Sequence, residues 1–510
     1  MKKKLPIGIS TFQKIRSDNY IYIDKTKEAL KLISEGTYYF LSRPRRFGKS
    51  LFLDTLKNIF EGNRELFKGL YIYDKYDFKP HPVIHISFSG GIKDNKRLYK
   101  HLLAILKDNQ SRLKIECEEK EYPDLCFSEL IKKAYEKYNE KVVVLIDEYD
   151  KPILDNIEKP EVAYNIREIL KRFYTEIKNS DEYIRFAFLT GVSKFAKVSI
   201  FSGLNNLEDI TLNKKYATIC GYTHHDIETS FKELLEGVDL EKLKEWYNGY
   251  NFLGERVYNP FDILLFISKN FRYSNYWFAS ATPTFLIKLL QKGNYFLPQL
   301  ENLVSDESLI ESFDIENLKI EPILFQSGYL TIDKVEVDEE FEFRTYKLKL
   351  PNKEVQISFN SMLISYLTDD DGYTLKRKSL LMSLANGNME EFKETLVSLY
   401  ASIPYNSYVK NNISSFEGYY ASVFYVYIAS LGLKIIAEDV TNRGRIDFTV
   451  FVKDKIYIFE FKVKDEDPLF QIKKKRYYEK YLKENKEIIL VGINFDEEER
   501  NIKKFVWEGV

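Results

Sequence analysis

The sequence predicts an α/β protein in three successive parts: a parallel-sheet domain over residues 1–230, a mixed α+β region over 231–375 and an α-β-β-β-α-β domain over 376–510. Three observations carry this reading. Apolar runs alternate with helix-period segments through the first half, the pattern of a parallel sheet with crossover helices. Val142-Val143-Val144-Leu145-Ile146 is a continuous, mostly β-branched apolar run, which suits a strand buried on both faces. Near the C-terminus three strand patterns follow one another directly, between two helical ones.

Taken in order, Tyr38–Leu41 is a short apolar strand that runs into Ser42-Arg43-Pro44-Arg45-Arg46-Phe47-Gly48-Lys49-Ser50. Leu51, Phe52, Leu56, Ile59 and Phe60 then recur at helix spacing. Pro82–Phe88 reads as a second strand, and Leu98–Leu106 begins a helix. A helix through Ile166, Leu170 and Phe173 leads to a strand at Ile184–Leu189. The middle is less regular; Phe325–Leu330 and the charged, hairpin-like stretch after it read as a small β unit. In the last part a helix over Phe416–Ala429 precedes strands at Lys434–Val440, Arg445–Val452 and Lys455–Val463. A helix over Pro468–Leu482 and a strand at Glu487–Ile493 complete it.

Composition bounds the function. The chain has 510 residues, about three domains at roughly 150 residues each. With 44% hydrophobic and 30% charged residues it is globular, not disordered. Lys plus Arg number 76 against 77 acidic residues, so nucleic-acid binding has to come from a local patch and not from a global basic field. Three cysteines, Cys117, Cys126 and Cys220, are odd in number and lack metal-ligand spacing. That argues for a reducing compartment and against a disulfide framework or a zinc site. The longest uncharged stretch, Gly418–Leu433, falls short of the ~18 apolar residues of a membrane span, and no signal-peptide core follows the basic start. The expectation is a cytoplasmic protein without a membrane partner.

Two constellations carry chemistry. In the first, Gly48-Lys49-Ser50 lies between a strand and a helix. Lys49 suits β- and γ-phosphates, Ser50 suits Mg²⁺, and a helix N-terminus favours an anion. The usual phosphate loop, G-x-x-x-x-G-K-[ST], has glycine where Arg43 stands. Asp147-Glu148 ends the Val142–Ile146 strand, where an Asp can hold Mg²⁺ through water and the adjacent Glu can orient the attacking water. Thr190 or Ser193, after the next strand, is placed to sense a γ-phosphate, although a turn satisfying its own backbone reads equally well. Alone, the tripeptide is a basic capping turn and Asp147-Glu148 a solvated strand end; together and in this order they favour an ATP site.

In the second, Glu460 and Lys462 are two apart and share a strand face. A two-residue turn at Asp454-Lys455 would set Asp447 opposite Lys462 and Thr449 opposite Glu460. The other face would then pair Ile446 with Val463, Phe448 with Phe461 and Val450 with Phe459, wholly apolar. Asp447 and Glu460 can hold Mg²⁺, with Glu417 on the preceding helix and the Phe461 carbonyl as further ligands. Lys462 would position the water or neutralise developing charge. Gln471, Lys475 and Tyr478 form a helix stripe beside Lys473, Lys474 and Arg476, suited to a phosphate backbone. The plain alternative is a cross-strand salt bridge on a solvated face; the order of the surrounding elements weighs against it.

Ile7-Gly8-Ile9-Ser10-Thr11-Phe12, Tyr22-Ile23-Asp24-Lys25-Thr26, Arg43–Ser50, Leu145–Asp150 and Trp246-Tyr247-Asn248-Gly249-Tyr250 resemble the bacterial AAA-ATPase-like family. Members of that family usually carry a C-terminal PD-(D/E)XK nuclease-like domain. The resemblance spans nearly the whole chain. It implies a P-loop NTPase fold with an arginine-rich loop in place of the glycine-rich one, and a restriction-endonuclease-like fold at the C-terminus. Arg46, Gly48, Lys49, Ser50, Asp147 and Thr190 are then the expected nucleotide contacts, Ser50 and Asp147 on its Mg²⁺, with Glu148 catalytic. Asp447, Glu460 and Lys462 match the D…(D/E)-x-K signature, with Ile446 where the proline of its name would stand. The resulting expectation is a protein in which ATP binding or hydrolysis gates DNA or RNA to a Mg²⁺-dependent nuclease site, with a homo-oligomer left open. Two rivals remain: a nucleotide-regulated signalling or scaffold protein whose C-terminal domain binds without cutting, and a plain NTPase with a structural tail.

Overall fold

The computed structural model describes residues 3–88, 91–194, 203–278, 298, 303–306, 319–341, 343–367, 373–403, 417–463 and 466–510. The chain forms two compact units, Met1–Leu286 with Val304–Asn352, and Ile287–Leu303 with Lys353–Val510.

In the first unit, β1 (Tyr38–Ser42), β2 (Val83–Ser87), β3 (Val142–Asp147), β4 (Ile184–Gly191) and β5 (Glu208–Asp209) form one sheet in the order β2-β3-β4-β1-β5. Every pairing in it is parallel. β3 is buried along its whole length, as its unbroken apolar run requires. Crossover helices cover the sheet through apolar stripes: Pro160–Asn179 buries Ala163, Ile166, Leu170, Phe173 and Ile177, spaced three or four apart. Because the strands are parallel, their carboxyl ends share one edge, and β1, β3 and β4 deliver the Arg43–Gly48 loop, Asp147 and Thr190 to that edge.

The same unit continues through the helices His224–Ser230, Leu240–Tyr247 and Pro260–Ser268. Phe325, which the sequence placed in a β unit, lies in the helix Ile320–Ser327, closed by Gly328 at φ +91°. The expected hairpin follows it as β7 (Thr331–Asp338) and β8 (Phe343–Lys349), and β6 (Val304–Ser305), from before the helix, adds to β8 to make an antiparallel sheet in the order β6-β8-β7.

In the second unit the helix Glu417–Ser430 precedes β9 (Lys434–Thr441), β10 (Gly444–Val452) and β11 (Lys455–Lys462). The helix Pro468–Lys475 and β12 (Glu487–Asp496) come next, then β13 (Asn501–Gly509), a strand the sequence reading did not foresee. The sheet order is β13-β12-β11-β10-β9, with β11–β12 parallel and the other pairs antiparallel. The expected long helix Pro468–Leu482 breaks at Arg476, at φ +50°, and a 3₁₀ segment Tyr477–Glu484 follows. The stripe joining Gln471 to Tyr478 therefore does not exist.

The hairpin register also differs from expectation. Val452 pairs with Lys455 and Phe448 with Phe459, so the turn is Lys453-Asp454, one residue earlier than expected. The ladder ends at Phe448 and Phe459, so the expected pairing of Asp447 with Lys462 and of Thr449 with Glu460 does not form; Thr449 pairs with Ile458. The strict division of faces fails as well. Ile446 joins a cluster with Ile456, Ile458, Ile472, Ile488 and Leu490, whereas Phe448 meets Phe424 and Phe461 on the other side of the sheet. Alternation is interrupted at Asp447. All three cysteines are buried and unbridged. Among the described residues no helix is long and apolar enough to cross a membrane.

Candidate nucleotide and nuclease-like sites

The loop after β1 needs two left-handed residues, Arg46 at φ +68° and Gly48 at φ +93°. A Cβ on Gly48 would meet nothing within 4 Å, so its backbone conformation, not crowding, calls for glycine. Arg43, at the usual first-glycine position, has no left-handed backbone. Its side chain turns inward and is fully buried. Nη1 donates to the Ser42 and Thr211 carbonyls at 2.9 and 2.8 Å, Nη2 donates to the Tyr216 carbonyl at 3.2 Å, and the guanidinium lies 3.9 Å from the Phe252 ring centroid. Arg45 and Arg46 stay exposed, Arg46 over the Phe261 ring.

Lys49 opens the following helix with Ser50 beside it. Its buried Nζ donates to the Arg43 and Pro44 carbonyls at 2.8 and 2.9 Å. Burial lowers the Lys49 pKa, with Asp147, Asp150 and Glu148 pulling the other way. Asp147 closes β3, and its Oδ1 accepts from Thr190 Oγ1 at 2.7 Å and from the Glu148 N–H at 3.1 Å. Thr190, expected to sense phosphate, is thus buried against Asp147. Glu148 is half-buried at φ +54°, and burial raises its pKa. Ser193 donates twice to Asp150 Oδ2, from N–H at 2.6 Å and Oγ at 2.8 Å, and the Val192 N–H adds a third bond at 2.9 Å. Lys49, Ser50, Asp147, Glu148 and Thr190 gather at the sheet edge, and Asp150 organises the turn behind them.

In the second unit, pairing of β10 with β11 ends at Phe448 and Phe459. Beyond it, the Phe461 N–H donates to Asp447 Oδ2 at 2.7 Å, so a side chain replaces the ladder bond. Burial raises the Asp447 pKa, opposed by that hydrogen bond and by Lys462. Glu460 is 1% exposed, an unusual place for a carboxylate without close partners. Its Oε1 accepts from Lys462 Nζ at 3.1 Å and from Gln471 Nε2. Lys462 Nζ also donates to the Phe461 carbonyl at 2.8 Å. Tyr477 stands close by: burial raises its pKa, and the charges of Glu460 and Asp447 add to the effect. A Cβ on Gly444 would lie 2.8 Å from the Tyr477 hydroxyl, so the glycine makes room for it. Asp447, Glu460 and Lys462 come together with Gln471 and Tyr477. Glu417 opens its helix, but its side chain lies outside the described residues.

Residues 6–201 match a family described as a predicted AAA-ATPase, and residues 415–505 match the PD-(D/E)XK nuclease superfamily. Over 518 aligned residues the chain is 46% identical to a protein of Azotobacter chroococcum mcd 1, described as an uncharacterized protein in the vnfD 5′ region. That alignment covers 100% of this chain and 99% of the other. The chain belongs to the AAA-ATPase-like family. Its C-terminal part is a PD-(D/E)XK nuclease-superfamily domain.

Domains of these two families generally use a nucleotide and a divalent metal. The AAA-ATPase-like edge suits a phosphate, since Lys49 Nζ rests on two backbone carbonyls and an anionic oxygen is the stronger acceptor. The nuclease-superfamily site suits Mg²⁺, which takes one or two carboxylates and keeps several waters. Asp447, Glu460 and the Phe461 carbonyl are such oxygen donors. Among the described residues no group of three or more His, Cys, Asp or Glu is gathered as an all-protein metal cage.

Two features of this domain escaped the sequence reading. Gln471, expected on a phosphate backbone, sits on Glu460. Asp439, read only as part of a strand, is 4% exposed and accepts from Thr449 Oγ1 at 2.8 Å, from Lys480 Nζ and from the Tyr481 hydroxyl. It fastens the 3₁₀ segment to β9 and β10. A polar pair, Glu438-Asp439, in an otherwise apolar strand was the available signal.

Proposed function

We propose that this AAA-ATPase-like protein binds and hydrolyses ATP and that its C-terminal domain cleaves DNA or RNA with Mg²⁺, nucleotide state governing access to the second site. The observation that carries the reading is the meeting of Asp447, Glu460 and Lys462 at the end of one hairpin, with Gln471 holding Glu460. A salt bridge on a solvated face would leave Glu460 exposed and would not need Gln471.

In this reading Lys49 and the helix N-terminus receive the triphosphate, with Arg46 and Gly48 shaping the loop around it. Ser50 and Asp147 hold its Mg²⁺, Thr190 keeps the Asp147 carboxylate oriented, and Glu148 orients the attacking water. In the nuclease domain Asp447 and Glu460, with Glu417, are the metal ligands. A bound Mg²⁺ supplies positive charge at the phosphodiester and a water of lowered pKa. Lys462, held between Glu460 and the Phe461 carbonyl, is placed to orient that water. The proposed location is the reducing interior of the cell, which suits three unbridged cysteines.

The test is incubation of the purified full chain with single- and double-stranded DNA and RNA, with and without Mg²⁺ and ATP. Mg²⁺-dependent cleavage that disappears in Glu460→Gln supports the proposal. Nucleic acid that is bound but never cut would refute cleavage and favour a scaffold domain.

A further inference from the structure

The phosphate loop is gripped by residues from much later in its own unit. The Arg43 guanidinium donates to the Thr211 and Tyr216 carbonyls. The Gly221 N–H donates to the Phe47 carbonyl at 3.1 Å, and Trp277 Nε1 donates to the Arg45 carbonyl at 3.2 Å. Residues 43, 45 and 47 are thus each tied to the stretch 211–277. On the inner side Lys49 Nζ holds the carbonyls of residues 43 and 44.

We infer that Arg43 is a positioning residue of the nucleotide site, and that it passes the occupancy of that site to the segment Thr211–Gly221 and to Trp277. The inference deepens the ATP reading above and rests on it.

When phosphate oxygens arrive, Lys49 Nζ exchanges two neutral carbonyls for an anion, a charge-assisted and stronger bond. The carbonyls it leaves belong to Arg43 and Pro44, so the loop gains freedom where its outer ties begin. Arg43 makes no ion pair among the described residues, and its buried Nε has no hydrogen-bond partner. Among the described residues the guanidinium's hydrogen bonds all go to backbone carbonyls, with the Phe252 ring against it, and such bonds weaken steeply with misalignment. A small loop shift is therefore felt at Thr211 and Tyr216. A glycine at position 43 would serve a phosphate loop equally well but would carry no such tie. That is the physical reason for the departure from the usual motif.

The test uses the full chain. The protein has three tryptophans, and Trp246→Phe with Trp507→Phe leaves Trp277 as the sole tryptophan, excited selectively at the red edge where tyrosine does not absorb. ATP is titrated while calorimetry measures binding, Trp277 emission is followed, and amide hydrogen exchange is read over residues 211–221. The expected result is an emission change with the calorimetric midpoint and a severalfold change in exchange in that segment at saturation. Arg43→Ala should lower ATP affinity about tenfold and abolish both responses, one lost buried hydrogen-bond set being of that order. Arg43→Lys, which restores a donor, should recover part of each. ATP bound by the unmodified chain with unaltered exchange over 211–221 would overturn the inference and leave the ATP reading intact. Absence of any calorimetric ATP binding would overturn both. The exchange measurement on the unmodified chain is decisive whether or not the variants fold.

Discussion

Asp447→Asn separates the chemistry of the nuclease-superfamily site from its contribution to folding. The Phe461 amide is buried and donates to Asp447 Oδ2 at 2.7 Å. Asparagine keeps an acceptor oxygen at that position and removes the buried charge. Burial dominates and raises the Asp447 pKa, so ionising this carboxyl costs more in the native state than in the unfolded chain. An unfolded Asp titrates near 3.9, so between that value and the raised native pKa the folded chain holds more protons than the unfolded one. The contribution of this residue is therefore greatest at low pH and is lost as pH rises through the native pKa. Above that window the asparagine variant should be at least as stable as wild type in urea. Asp447→Ala instead leaves the Phe461 N–H without an acceptor and should lose about 1–3 kcal/mol. Both variants should lose Mg²⁺-dependent cleavage by about a hundredfold or more, because each removes a ligand charge. The two assays are urea unfolding between pH 4 and 8 and cleavage at saturating Mg²⁺. An asparagine variant as destabilised as the alanine variant, or one that cleaves at the wild-type rate, would refute the argument.

Other expectations are more direct. Lys49→Met should weaken ATP binding at least tenfold in calorimetry, since it removes the buried cation at the sheet edge. Glu148→Gln should keep ATP binding but lower turnover about a hundredfold in a phosphate-release assay. Gly48→Ala has room for its methyl group, so it should cost only the left-handed strain, about 1 kcal/mol in thermal unfolding. Asp150→Ala leaves the Val192 and Ser193 donors without an acceptor and should cost about 3 kcal/mol or more, with Asp150→Asn recovering most of the loss.

Much of this was legible because the parallel sheet is written in long apolar runs. β3 could be read from Val142–Ile146 alone, and with it the position of Asp147 at a strand end. The hairpin shows where reading stops. Neither Lys453-Asp454 nor Asp454-Lys455 carries the Asn-Gly or Asp-Gly chemistry that marks a two-residue turn. Moving the turn by one residue shifts the partner by two, so every side chain keeps its face and the hydrophobic pattern cannot tell the registers apart. Only the folded chain shows that β10–β11 pairing stops at Phe448 and Phe459 and that the Asp447 carboxylate then replaces a ladder bond. β13 was invisible for a different reason. Of Ile502, Lys503, Lys504, Phe505, Val506 and Trp507 only Phe505 is buried, so this edge strand lacks a clean apolar alternation. The break at Arg476 hid too, because arginine in a left-handed conformation is set by tertiary context and not by local propensity. The role of Arg43 needed coordinates outright, since two of its three carbonyl partners, Thr211 and Tyr216, lie more than 160 residues away in the chain.

The three cysteines have a practical consequence. With Cys117, Cys126 and Cys220 all buried and unbridged, the native chain offers maleimide reagents little to react with while it stays folded. A cysteine introduced at an exposed position of each unit, such as Leu125 in the first and Phe470 in the second, becomes the preferred site of attachment without first stripping the chain of its own thiols. A donor dye on one unit and an acceptor on the other can then be carried by an otherwise unaltered protein, and energy transfer between them followed through a cycle of nucleotide addition and removal.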